Sequence, residues 1–288
     1  MLKINEYAYN ACERNGTLES HELYTKRIHA VENSHFFGQN ETFSWIYLGF
    51  EFCENMMKLC DISQMEKKIE TAVSKGYQVA FVFPTVHQQG IPLVREWIER
   101  LAKQNLISEW IVNDLGMFAL LEEAGITKNL VLGRLFEKAI RETRQNILEI
   151  PEVAKNFEIF QPTESLKSIY RILEKKYTIC GAEVDTFPEG MLELTDCQLE
   201  YRVHYPDIFL SCSPYCEYAN VNHEEKGRFV LHHSCVAECC LYEQKIHAPN
   251  GREFYKTGNV MIGKQMRSLE ECVNGTCRMV YSDRIHLT

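Results

Sequence analysis

Cysteine residues are the first feature of this sequence that could do chemistry. There are twelve in 288 residues, and five of them lie between Cys212 and Cys240. In that block Cys212-x3-Cys216 and Cys235-x3-Cys239 are separated by eighteen residues, and Cys240 follows directly. Thiolate pairs at such short spacing are typical ligands of zinc and of iron–sulfur clusters. The block therefore predicts a metal site, and the spacing leaves both metals open.

The cellular compartment decides how the remaining cysteines are interpreted. The opening MLKINEYAYN lacks the basic and apolar order of a secretory signal, and no apolar run is long enough to span a bilayer. We therefore expect a cytoplasmic protein with no membrane partner, where structural disulfides rarely persist. Isolated cysteines are commonly small buried hydrophobes, which is the interpretation favoured for Cys12, Cys60 and Cys180.

Charge and short motifs exclude several function classes. The formal net charge of -9 argues against a broad nucleic-acid surface, because phosphate binding depends on clustered Lys and Arg. The sequence has no G-x-S-x-G, no H-E-x-x-H and no Walker-type glycine loop. Neither a nucleic-acid partner nor peptidase activity is expected.

Strand and helix patterns alternate through the middle of the chain. Apolar runs rich in β-branched or aromatic residues predict buried strands at 45–51, 78–84, 109–114, 129–133 and 178–184. The segments between them with helical spacing are MEKKIETAVSKG, LVREWIERLAKQN, LGMFALLEEAG and ESLKSIYRILEKK. This alternation predicts an α/β fold with a parallel sheet, either open and doubly wound or closed, and we favour a TIM-barrel-like closed form.

The pattern changes after about residue 185, where LEYRVHYPDIFLSC predicts one or two further strands. We expect an N-terminal segment at 1–40, an α/β barrel core at 41–210 and a Cys-rich, cluster-binding C-terminal cap at 211–288. Cys53 lies just beyond a predicted strand, at the face where barrel enzymes build their sites. A metal ligand there would tie the barrel to the cap.

Several segments together resemble the collagenase-like peptidase family. They are IYLGFEFCENM, QVAFVFPTVHQQGI, IVNDLGMFALLEEAG, LVLGRLFEKAIRETR, GAEVDTFPEG and HHSCVAECC, and the likeness spans roughly residues 45–285. Despite the family name, the resemblance implies an iron–sulfur barrel that supports oxygen-independent hydroxylation of a ubiquinone precursor or of RNA bases. Prephenate is the implied oxygen donor in several such systems.

The resemblance also implies a 4Fe-4S cluster held by four cysteines, with zinc as the alternative. In the family, one ligand follows a YLG-x3 motif, as Cys53 does here, and two ligands form a terminal Cys-x3-Cys pair, as Cys235 and Cys239 do. Cys216 is then the natural fourth ligand, and Cys212 is a further candidate. A different branch would use Cys53, Cys197, Cys212 and Cys216. The sequence departs from the family in having Asp185 where an aromatic residue is expected and Cys197 further on. A second centre would use Cys240, Cys272 and Cys277.

Polar residues at strand ends are candidates for substrate chemistry. Asn113 and Asp114 end a strand and could reach the barrel mouth, although Asp114 is also a good helix N-cap. Arg134, Arg141 and Arg144 follow the next strand, and guanidinium groups bind carboxylates bidentately. They are candidates for binding a small anionic substrate, with a solvated face as the competing interpretation.

Histidines near the cysteine block supply the remaining candidates. His204 and Tyr205 lie at a strand end and could donate protons or hydrogen bonds, although a lone His is more often structural. His232 and His233 lie beside Cys235, in a position to support metal ligands.

Three function classes follow. The first is an oxygen-independent hydroxylase or redox enzyme acting on a small or aromatic substrate. The second is a non-catalytic, cluster-bearing subunit that works with a related barrel protein in a heterodimer. The third is a zinc-stabilised binding module.

Overall fold

The computed structural model describes residues 1–12, 21–33, 41–137, 139, 141, 146–155, 161–194, 199–220, 235–242 and 244–282. Its strands are β1 (Lys3–Asn10), β2 (Trp45–Gly49), β3 (Gln78–Phe83), β4 (Glu109–Val112), β5 (Leu130–Leu132), β6 (Ile179–Asp185), β7 (Leu192–Glu193), β8 (Glu200–Cys212), β9 (Gln244–His247), β10 (Glu253–Thr257), β11 (Val260–Lys264), β12 (Val273–Asn274) and β13 (Thr276–Ser282). Its helices are α1 (His21–Glu32), α2 (Glu54–Leu59), α3 (Ile62–Ser74), α4 (Ile91–Gln104), α5 (Leu115–Glu123), α6 (Pro151–Lys155), α7 (Pro162–Leu173) and α8 (Leu269–Cys272).

Eight parallel strands form a closed barrel, which confirms the TIM-barrel-like prediction. Their order is β13-β1-β2-β3-β4-β5-β6-β8, and β8 pairs with β13 to close the ring. The five strands predicted from apolar runs are β2 to β6. The barrel also takes β1 from the predicted N-terminal segment and β13 from the predicted cap, so it extends beyond residues 41–210 at both ends.

Helices surround the barrel because their apolar residues recur on one side. In α4 the buried residues are Val94, Trp97, Ile98 and Leu101, at the spacing of one helical face. They pack on the outward-facing side chains of the parallel strands, such as Phe81. None of the helices in the described ranges is long and apolar enough to cross a membrane.

The barrel interior is polar at both ends and apolar between them. At the amino-terminal end of the strands, the Glu109 carboxylate accepts hydrogen bonds from Arg202 at 2.6 Å and from Arg278 at 2.8 Å. Burial alone would raise the pKa of Glu109, but the two guanidinium groups hold it below its usual value. The middle layer contains small and branched residues such as Ala80 and Val131.

Strand β8 is longer than the barrel. Residues 201–206 pair with β13, whereas residues 207–212 pair with β11 in the antiparallel sense. The order β8-β11-β10-β9 makes a second sheet that rises from the carboxyl-terminal end of the barrel. It is built mostly from the sequence region predicted to form the cap.

Candidate metal centre

Four cysteines from three separate segments gather at the carboxyl-terminal end of the barrel. Cys53 follows β2 as the N-cap of α2, Cys216 follows β8, Cys235 precedes a short 3₁₀ turn at Glu238–Cys240, and Cys239 lies within that turn. Burial, with electrostatic interaction between the thiols as a smaller cause, raises the pKa of Cys53, Cys235 and Cys239, and these interactions link every pair of the four. The four cysteines preferred as ligands therefore lie within electrostatic range of one another, and their role as metal ligands stays a prediction.

The segment that leads to Cys53 is fixed at each residue. The Phe50 backbone N–H donates to the Val82 carbonyl at 2.8 Å. The Asn113 side chain donates to the Glu51 carbonyl at 3.2 Å, and the Asn259 side chain donates to the Phe52 carbonyl at 2.8 Å. Because these contacts come from several elements, the position of Cys53 depends on the tertiary fold rather than on its own loop.

Arg134 also contacts the segment that leads to Cys53. Its side chain is 1% exposed and forms ion pairs with Asp185 and Glu51, including an Nε to Oδ2 hydrogen bond of 2.9 Å to Asp185. The guanidinium carbon also lies 5.5 Å from the centre of the Phe52 ring, which stacks on Phe209 at 4.7 Å. Arg134 thus holds both residues that immediately precede Cys53.

The turn between β10 and β11 connects the cysteine segments. The Asn259 side chain donates to the carbonyls of Phe52 and of Ser213, and Ser213 N–H donates to the Asn259 carbonyl at 2.9 Å. A β-carbon at Gly258 would lie 3.5 Å from the Cys239 sulfur. One two-residue turn therefore contacts the Cys53 segment, the segment ahead of Cys216, and Cys239.

Local backbone geometry aligns the terminal pair. Ala237 adopts a left-handed conformation at φ 62°, and its N–H donates to the Cys235 sulfur at 3.4 Å. Cys235 in turn lies 3.7 Å from a Glu238 carboxylate oxygen. The left-handed residue and the 3₁₀ turn that follows it thus set the backbone between the two thiols.

Burial is the main influence on the pKa of these thiols. Burial raises the pKa of Cys53, and it raises the pKa of Cys235 to about 11 with neighbouring thiolates adding to the effect. Burial and the same neighbours raise the pKa of Cys239 as well. Clustered thiolates are unfavourable without a positive partner, and a metal centre reverses that balance.

The donor set fits thiolate ligation of a cluster. Cys53, Cys216, Cys235 and Cys239 would hold it, from three segments separated widely in sequence. In the described ranges, no three His, Cys, Asp or Glu side chains are arranged as ligands around a single metal ion.

The other cysteine candidates lie in different surroundings. Cys212 ends β8 opposite Val260 and packs against a small hydrophobic cluster that includes Phe209. Cys272 and Cys277 are buried in the main hydrophobic core, whereas Cys240 is exposed beside Cys239. Cys197, Arg144, His232 and His233 lie outside the described residues.

Asn113 and Asp114 have structural partners. Asn113 donates to the carbonyls of Glu51 and Phe83 and accepts from Leu135 N–H at 3.2 Å. Asp114 accepts from Gly116 N–H at 2.7 Å, which confirms the N-cap interpretation for α5. The catalytic role of Asp114 and the substrate role of Asn113 stay predictions.

Arg134 and Arg141 are already paired with protein groups. Arg141 forms an ion pair with Glu137 and donates to the Asp185 carbonyl at 3.2 Å. Burial lowers the pKa of Arg141 to about 10, with Asp185 opposing the change. Both guanidinium groups are inside the protein rather than on a solvated face, and their anion-binding role stays a prediction.

His204 points into the barrel, one layer below Arg134. Its Nε2 lies 2.9 Å from a Glu183 oxygen and its Nδ1 lies 3.4 Å from the Ser282 hydroxyl. Burial lowers the pKa of His204, and Arg134 adds to this in spite of Glu183. The neighbouring Tyr205 points outward and donates to the Arg267 carbonyl at 3.0 Å. The catalytic assignment of His204 also stays a prediction.

Comparison of the chain with family models, with curated proteins and with solved structures finds no match.

Sequence reasoning missed the groups that surround the centre. Glu54, which follows Cys53, is a buried carboxylate that accepts from His87 and from Lys58. Although burial opposes it, these donors hold the pKa of Glu54 below its usual value. The Gly258–Asn259 turn was visible as a glycine-containing hairpin signal, but nothing in the sequence connected it to the cysteines.

Proposed function

We propose that this protein is an iron–sulfur barrel protein of the collagenase-like peptidase type, holding one 4Fe-4S cluster at the carboxyl-terminal mouth of its barrel. Its activity is oxygen-independent hydroxylation, or related redox chemistry, on a small aromatic or anionic substrate, with prephenate as oxygen donor. The proposal rests on the observation that four thiols interact electrostatically with one another, those of Cys53, Cys216, Cys235 and Cys239. They are the same four residues that the family resemblance selects.

The number of expected ligands is consistent with a redox role. Four thiolates would complete the ligation of a cubane cluster, which favours electron transfer or a structural role over chemistry at an open iron site. The residues that would hold the cluster lie at the barrel mouth, where buried ion pairs of Arg134 support the segment that carries Cys53. The ion pair of Arg134 with Asp185 fills the space directly behind the Cys53 segment.

A partner-dependent role is the second candidate. Val236, Leu241 and Tyr242 are 75%, 78% and 59% exposed, and all three lie within the segment that carries Cys235 and Cys239. Exposed apolar side chains at the edge of a redox centre favour contact with another protein. In this form the protein would act with a related barrel protein and be inactive alone.

Anaerobic turnover tests the proposal. Reconstituted protein is expected to hydroxylate an aromatic acceptor when prephenate is supplied without oxygen. Cys239→Ser should lose at least about tenfold of this rate because ligand loss removes the centre. Cys60→Ser, at a cysteine outside the ligand set, is the control and should keep the rate.

The two candidates predict different outcomes of this assay. A fully loaded protein that forms no product alone, but forms it after addition of a co-purifying barrel protein, would establish the partner-dependent form. A fully loaded protein that forms no product under either condition would contradict the hydroxylation proposal.

A further inference from the structure

Asn259 contacts the segments that carry two of the four cysteines. Its side-chain amide donates to the Phe52 carbonyl at 2.8 Å and to the Ser213 carbonyl at 3.1 Å. Phe52 directly precedes Cys53, and Ser213 lies three residues before Cys216. Asn259 is separated from Phe52 by 207 residues and from Ser213 by 46. One side chain therefore joins a barrel segment to a segment of the C-terminal region.

The two contacts require a side chain of particular chemistry. Both targets are carbonyl oxygens, which accept hydrogen bonds and need donors. The Asn carboxamide carries an NH₂ group with two donors, whereas an ionised Asp of the same shape has only acceptors and Leu of similar size has neither. A carboxamide at position 259 is thus matched to both carbonyls at once.

The contact with Phe52 fixes the backbone next to Cys53. The Phe52 carbonyl and the Cys53 N–H belong to one planar peptide unit, so a hydrogen bond to the carbonyl orients the whole unit. The Phe52 ring is also held, because it stacks on Phe209 at 4.7 Å. The direction in which the Cys53 side chain leaves the backbone is therefore set by contacts from outside its own segment.

Asn259 is itself mounted on paired strands. The Ser213 N–H donates to the Asn259 carbonyl at 2.9 Å, and the next residue, Val260, pairs with Cys212 in the antiparallel sense. Val260 also packs in the small hydrophobic cluster that contains Phe52. Side chains on regular elements hold their partners more rigidly than side chains on free loops.

We propose that Asn259 is a positioning residue of the candidate metal centre, which holds the Cys53 and Cys216 segments at one spacing before any metal binds. Cys53, Cys216 and Asn259 line the same small cleft, so the residues concerned are close neighbours. That the positioned thiols bind a cluster rests on the proposed function. That Asn259 joins the two segments does not.

Hydrogen–deuterium exchange of the full-length protein, measured before reconstitution, tests the joining of the two segments. Asn259→Leu removes both donors, and amide exchange is expected to become about tenfold faster in residues 50–57 and in residues 211–218 together. Asn259→Asp keeps the shape of the side chain and should have the same effect.

Gln161→Leu is the matched control. The Gln161 carboxamide also bridges two backbone groups, since it donates to the Met191 carbonyl at 3.0 Å and accepts from the Glu193 N–H at 3.2 Å. These segments carry none of the four cysteines. The control should leave exchange in both cysteine segments unchanged, and circular dichroism verifies that each variant is folded.

Anaerobic reconstitution of the same variants tests the link to the centre. In both Asn259 variants, iron and sulfide per folded chain should fall at least about twofold, or the spectrum of the reduced cluster should change. Gln161→Leu should match the wild type in both respects.

Unchanged exchange in the two cysteine segments of folded Asn259 variants, or faster exchange confined to the β10–β11 hairpin, would overturn the inference. A full cluster with an unchanged spectrum in both Asn259 variants would also overturn it and leave the proposed function standing. Faster exchange in both segments, in a protein whose wild type holds no iron or sulfide, would remove the proposed function and support the joining of the segments by Asn259.

Discussion

Cys53→Ser is expected to lose most of the cluster and to lower the thermal midpoint by roughly 5–10 °C, whereas Cys212→Ser keeps most of both. Cys53 lies after β2, and its three partners come from the segments after β8. A cluster that joins them closes a very long loop, so its binding free energy contributes to the stability of the whole barrel. Cys212 instead packs with Phe209 and Val260.

Iron and sulfide content, the visible spectrum and thermal unfolding of the two variants check this result. Cys240→Ser serves as a further control, since that thiol is exposed, and its effect should be mild. If Cys53→Ser binds a full cluster with an unchanged spectrum while Cys212→Ser does not, the Cys53 assignment is wrong. A local site within the Cys212 to Cys240 block would then replace it.

Arg134→Gln is expected to lower the free energy of unfolding by about 3–5 kcal/mol, because it leaves Asp185 and Glu51 buried without their cation. It should also alter the cluster, since the Arg134 guanidinium lies over Phe52, next to Cys53. We expect cluster content per folded chain to fall, or the spectrum of the reduced cluster to change.

Arg202→Gln is the matched control for this prediction. Arg202 is equally buried and pairs with Glu109, but at the opposite end of the barrel. Its loss should destabilise the protein by a comparable amount and leave the cluster spectrum per folded chain unchanged. If both variants change the cluster equally, the effect of Arg134 is general stability rather than positioning of Cys53.

The barrel was predictable from sequence where apolar residues dominate its strands, in β4 and β6 despite the buried carboxylates Glu109 and Glu183. Strands β2 to β6 are buried by helices outside and by other strands inside, so each contains an apolar run. Strands β1 and β13 do not, because they place Glu6 and Arg278 inside the barrel, where these residues form an ion pair at 2.8 Å. Their sequences alternate like half-exposed strands, and only the long-range pairing of the two termini places them in the ring.

The surroundings of the candidate centre were less predictable than its cysteines. Cysteine type and spacing point to the block from Cys212 to Cys240, the position of Cys53 after a barrel strand adds that residue, and the choice among these thiols follows from the family resemblance and stays a prediction. The partners of Arg134 could not be predicted, because Glu51 and Asp185 are separated from it by 83 and 51 residues. The pairing of His87 with Glu54 likewise depends on the register of β2 and β3.

Iron and acid-labile sulfide, counted per chain in anaerobically reconstituted protein, test the central claim most directly. The four-cysteine centre predicts about four of each, together with a brown colour and broad visible absorption. Fewer than about one iron and one sulfide per chain would contradict it, since a thiolate-ligated iron–sulfur cluster contains both. Stoichiometric zinc without sulfide in colourless protein would assign the same thiols to the zinc alternative instead.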